Sequence, residues 1–120
     1  MKALFENLDI YKLSEKLSDQ IWDIVVCWNR LDKDTIGTQL LRAVDSVGAN
    51  IAEGNGRGTQ NENRRFARIA RGSLYESRHW LRRAVKRNLL NKKQIEEIKL
   101  IIDELSPRLN AYISSLGNNN

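Results

Sequence analysis

The chain has 120 residues, 41% of them hydrophobic and 29% charged, with a formal net charge of +5 and a single cysteine. That length suits one domain whose core can form without disulfides or a structural metal. Cys27 alone excludes an intrachain disulfide, and neither a charged-then-apolar leader nor an apolar run of membrane-spanning length occurs, so a cytoplasmic protein with no membrane association is expected.

Apolar residues return every three or four positions in four successive segments, with no strand-like alternation. The predicted fold is therefore all-α: one antiparallel up-down-up-down four-helix bundle over 1–120. The first predicted helix, about 8–31, gathers Ile10, Leu13, Leu17, Ile21, Ile24, Val25, Trp28 and Leu31 on one side. Tyr11, Trp22 and Val26 fall on its back. A tryptophan and a valine one turn apart there suggest a partner surface, and a second copy is the simplest partner. Cys27 reads as a small residue at the edge of the core.

The motif "LDKDT" breaks the pattern, and a second helix over about 35–54 follows, with Asp34 or Thr35 as its N-cap and Gly54 as its closing glycine. Its apolar stripe is Ile36, Leu40, Val44, Val47 and Ile51. Gln39, Arg42, Ser46, Asn50 and Glu53 share a polar arc of about 80° beside that stripe. Glu76 borders the apolar side of the third helix, next to the small Gly72 and Ser73. These six polar residues read as a structural network in which Arg42 pairs with Glu53 or Glu76, so that loss of Glu76 destabilises the fold. Two carboxylates also raise the question of an enzyme. With no positioned histidine, cysteine nucleophile or metal-ligand cluster beside them, no catalytic residue, metal, cofactor or small-molecule substrate is assigned, and an enzyme is not expected.

The stretch "NIAEGNGRGT" brings Gly54, Gly56 and Gly58 together before Thr59. A nucleotide loop would follow a strand and carry a Walker lysine, and both are missing. The glycines read instead as punctuation between helices, although Arg57 and the positive end of the next helix could still hold a backbone phosphate. "TQNE" at Thr59 has the form of a capping box with Glu62 and opens the third helix, about 59–88. Its stripe is Phe66, Ile69, Ala70, Ser73, Leu74, Ser77, Trp80, Leu81 and Ala84, and Asn88 is a plausible left-handed stop. From Arg57 to Arg87 ten basic residues face only Glu62 and Glu76, so the rest of the chain is net acidic. Arg64, Arg68, Arg71, Arg78, Arg82 and Lys86, with Tyr75 among them, share an arc of about 80° opposite the apolar stripe. With Arg57 they form the candidate nucleic-acid site. Guanidinium groups suit phosphate, and a tyrosine can stack on an unpaired base. The alternative is a protein-interaction scaffold whose basic face meets an acidic partner. His79 reads as a surface or packing residue.

Asn91 and Gln94 open the fourth helix, about 91–116, with Ile95, Ile98, Ile102, Leu105, Leu109, Ile113 and Leu116 as its stripe. Ile101 and Tyr112 lie at its edge. Pro107 sits inside it and removes one backbone bond, but the apolar phase runs unshifted across, so a kinked but continuous helix is expected. Gly117 closes it, and the tail 117–120 is expected to be disordered.

The stretch "QLLRAVDSVGANIAEGNGRGTQNENRRFARIARGSLYES", above all Gln39, Arg42, Ala43, Ser46, Asn50 to Gly54, Phe66, Ala70, Gly72, Ser73 and Glu76, resembles a known family. It is that of the four-helix proteins named after the 23S rRNA intervening sequence, also known as S23 ribosomal proteins. The likeness spans about Leu8 to Leu116. It departs from the common form at "VGA" before Asn50 and at Asn88. The resemblance implies a bacterial protein, an antiparallel four-helix protomer and a ring-like homopentamer. It implies little chemistry: no activity is established for the family, and RNA binding, with ribosomal RNA the natural candidate, is inferred for its members.

Overall fold

The computed structural model describes residues 4–117. Four long helices carry the fold: α1 (Asp9–Val25), α2 (Thr38–Asn55), α3 (Gln60–Lys86) and α4 (Lys92–Ser115). They pack as a rod of 47 × 23 × 23 Å. Each helix touches its two neighbours around a square. Cross-helix pairs give the direction: Ser14 lies against Gly48, Ser18 bonds Val44 and Val25 meets Gly37, so α2 runs opposite to α1. Asp9 with Arg108, and Gln20 with Glu97, place α4 antiparallel to α1 in the same way.

The core is aliphatic. Leu17, Ile21, Leu40, Val44, Val47, Ile51, Leu105 and Leu109 are all but sealed from solvent, as the periodicity predicts. α2 and α3 make the most extensive helix contact. Small buried residues permit it: Ala43 and Gly54 on α2, and Ala67, Ala70, Ser77 and Ala84 on α3. Ile101, placed at the edge of α4 by its sequence phase, is buried, and Tyr112 is half-buried. Tyr112 accepts a hydrogen bond at 2.9 Å from the Asn63 amide, which ties the start of α3 to the end of α4.

The expected boundary between the first two helices is wrong by several residues. α1 ends at Val25, because the chain turns out at Val26 and Cys27 and Asn29 caps a new helix, accepting from the Asp32 amide at 3.0 Å. Trp28 anchors this turn by donating its indole N–H to the Leu89 carbonyl at 3.0 Å. Leu31, assigned to the first apolar stripe, is 72% exposed, and Cys27 is exposed rather than at the core's edge. Neither Asp34 nor Thr35 is an N-cap. They sit within a π-helical turn, Lys33–Gly37, that follows the short α-helical turn Arg30–Asp32 and runs into α2. Thr35 donates its hydroxyl back to the Leu31 carbonyl at 2.7 Å.

Gly54 is not a cap either. α2 continues to Asn55, and Gly54 is buried where a Cβ would stand 2.8 Å from the Phe66 Cβ and 3.0 Å from the Asn63 carbonyl oxygen. Its work is to let α3 approach. The left-handed conformations fall at Gly58, Asn88 and Gly117, the last two as expected. Thr59 completes half of its capping box by accepting from the Glu62 amide at 3.2 Å, but Glu62 turns to Arg65 instead of reaching back. The Asn91 and Gln94 box is complete, and α4 passes through Pro107 unbroken. Of the tail expected to be disordered, Gly117 is buried and its carbonyl accepts from Arg64, while 118–120 lie outside the described residues.

Two glycine replacements separate close approach from mere flexibility. Gly54→Ala forces a methyl into the α2–α3 contact and should lower stability by about 1–3 kcal/mol. Gly72→Ala meets nothing within 4 Å and should raise it by about 0.5–1 kcal/mol. Opposite shifts of the urea midpoint are the expected result.

Candidate functional site

Burial of Asn63, Ala67, Ala70, Leu74, Ser77, Leu81 and Ala84 sets the rotation of α3 about its axis. At about 100° per residue, that rotation places Arg64, Arg68, Arg71, Tyr75, Arg78, Arg82 and Lys86 together on one outer flank. The ridge is about 33 Å long. Arg68, Arg78, Arg82 and Lys86 are exposed. Arg64 and Arg71 are half-buried and are steadied by neutral acceptors, the Gly117 carbonyl at 3.0 Å and the Asn110 side-chain oxygen at 3.1 Å. A neutral acceptor orients a guanidinium without cancelling its charge. Among the described residues none of these six cations forms an ion pair.

Tyr75 stands in the middle of the ridge, 57% exposed, with the Arg78 guanidinium 5.7 Å from its ring centre. Arg57 is set apart. It pairs with Glu53 at 3.0 Å and lies 4.8 Å over the Phe66 ring, where Arg65, paired with Glu62, also sits. Its charge is matched locally, so the structure does not join it to the ridge.

Beside the ridge a groove of about 390 Å³ opens between α3 and α4. Its floor is aliphatic: Leu81, Val85, Leu90, Ile95, Ile98 and Ile102. Arg78 and Arg82 form one rim, and Lys99 and Asp103, paired at 2.6 Å, the other. The sequence reading missed it because it depends on which helix lies beside α3. Val85 and Leu90, apolar residues outside every predicted stripe, were the available signal.

The polar network expected from Gln39, Arg42, Ser46, Asn50, Glu53 and Glu76 does not form. Ser46 and Asn50 donate to carbonyls one turn back, those of Arg42 and Ser46, each at 2.8 Å. Glu53 holds Arg57, and Glu76 accepts from the Trp80 indole N–H at 3.2 Å. No ion pair joins Arg42 to either carboxylate. Gln39, Arg42, Glu53 and Glu76 are exposed, and charges in water have no need of a partner. Of the expected partner surface, Trp22 and Val26 are 55% and 42% exposed. Tyr11 is instead half-buried, edge-on to Phe5 and against Gly48. Burial first, then the charges of Glu15 and Glu6, raise its hydroxyl pKa above the ordinary phenol value. His79 is exposed and edge-on to Trp80.

Among the described residues no helix is long and apolar enough to cross a membrane, and no three potential metal ligands cluster. Residues 6–111 match the family described as 23S rRNA-intervening sequence protein. The chain belongs to that family. A solved structure from Bacteroides thetaiotaomicron, a protein of unknown function from the S23 ribosomal protein family, shares the fold with a TM-score of 0.79. It is 22% identical, over 87% of this chain and 97% of its own. No curated protein matches.

The loss of the expected network changes what Glu76 should do for stability. With one exposed hydrogen bond at stake, Glu76→Ala should cost no more than about 1 kcal/mol. A thermal melt read at equal protein concentrations checks it, and a larger loss would mean that Glu76 has a partner beyond Trp80.

Proposed function

We propose that this family member is a self-associating, non-enzymatic protein of the cytoplasm that binds RNA through the outer flank of α3. The observation that carries the reading is the row Arg64, Arg68, Arg71, Arg78, Arg82 and Lys86, free of ion pairs among the described residues and held on one side of a continuous helix. Cations that are not neutralised internally attract a polyanion and release its counterions on contact. Phosphate contacts of this kind give register and affinity without reading base sequence. Exposed Trp22 on α1 and Val26 just past its end support contact between copies, which multiplies weak contacts into avidity. The family's description makes large-subunit ribosomal RNA the first probe to use.

Affinity for that RNA should fall steeply with salt. The slope of log K against log salt should be about −0.7 per phosphate neutralised on a single strand, or about −4 if all six cations engage. Reversing Arg68, Arg71 and Arg82 to glutamate should abolish binding in a filter or anisotropy assay, while Arg57→Glu should change it little. Absence of binding by the intact protein at low salt would falsify the reading. Trp22→Asp should lower the sedimentation coefficient if copies meet at α1, and an unchanged value removes that contact from the proposal.

A further inference from the structure

We infer that the RNA taken by this ridge is single-stranded, with one unpaired base stacked on Tyr75 and another lodged in the groove between α3 and α4. The inference rests on the RNA reading above and adds the form of the nucleic acid. Cations alone serve a duplex and a strand equally, since both present phosphate. Two features of the flank have no use for a duplex, whose base faces are hidden in the stack.

The first is Tyr75. A ring 57% exposed in the midst of arginines leaves apolar surface in water, and its neighbour Arg78 covers it only in part at 5.7 Å. An unstacked base placed there extends an existing cation–π stack, as aromatic rings and guanidinium planes do when they recognise single strands. The second is the groove. Arg78 and Arg82 belong to the ridge and also form the groove's rim, so a strand whose phosphates follow the ridge passes directly over the opening. Its aliphatic floor, Leu81, Val85, Ile98 and Ile102 among others, can take the flat face of a base out of water while the rim holds the adjoining phosphate. At 390 Å³ the groove is of small-ligand size. Tyr75 and Arg82 are separated by about 10 Å along the helix, so both base sites are within reach of one short strand.

The test compares an unstructured polyuridine strand with an RNA duplex of equal phosphate count, by fluorescence anisotropy at one salt concentration. Two variants accompany the native protein: Tyr75→Ala, and Val85→Gln, which puts a neutral amide into the groove's aliphatic floor. Both residues are exposed, so folding is expected to survive, and circular dichroism melts confirm it. The native protein should favour the strand. Tyr75→Ala should weaken strand binding about tenfold, the effect of losing one base–aromatic stack. Val85→Gln should weaken it as well, and both variants should leave duplex affinity unchanged. Equal affinity for strand and duplex, or equal loss on both, overturns this inference and leaves the RNA reading standing. Binding to neither defeats the RNA reading itself. If a second copy fills the groove instead, Val85→Gln will lower the sedimentation coefficient without touching strand affinity, and that outcome also overturns the inference.

Discussion

The placement of the basic flank follows from the way α3 is pinned in rotation by its small-residue contact with α2. Ala67, Ala70, Ser77 and Ala84 are buried, and Gly54 lets the Phe66 Cβ and the Asn63 carbonyl come within 3.0 Å of where its own Cβ would be. Helices this close cannot rotate without collision, because packed interiors offer no spare volume. Leu74 and Leu81, on the same side, add burial that favours one orientation over all others. The arginines are therefore aimed by the core and not by one another.

This separation of duties explains how a crowded set of like charges persists on one helix. Repulsion between exposed guanidinium groups is screened by water and salt, so the core contact outweighs it. Where cations do find carboxylates, as Arg57 with Glu53, Arg65 with Glu62 and Arg108 with Asp9 and Glu104, they lie off the ridge. The α3 side of this flank carries no acidic residue, and Asp103 on the α4 rim of the groove is paired with Lys99. What remains is a strip of positive charge beside an apolar groove, both carried by the regular helices α3 and α4.

Periodicity made the four helices, most of the core and the basic flank legible in the sequence, because each depends on spacing within a single helix. Asn91 and Asn88 were equally readable from their local conformations, and the unshifted apolar phase carried α4 through Pro107. What depended on a neighbour was not. The stripe of the first helix ran on through Trp28 and Leu31, and nothing local announced that Asn29 would restart the chain. Gly54 looked like a cap because glycine commonly caps, whereas its close approach to Phe66 exists only once two helices are docked. Arg42, Glu53 and Glu76 invited a buried network by their composition, but composition does not say which flank of a helix meets solvent. Asn63, buried and bonded to Tyr112, and the groove beside Val85 are invisible until α3 and α4 are side by side.

The π-helical turn at Lys33–Gly37 bears on how the chain tolerates length changes. A π turn accommodates one residue more than an α turn, as a local bulge in an otherwise regular coil. Removing one residue there would relax the bulge to ordinary pitch and leave the angular phase of everything downstream intact. The same deletion anywhere within Thr38–Asn55 would swing half of α2 by about 100° and turn its greasy side to water. A one-residue deletion is thus most readily absorbed in this segment between α1 and α2.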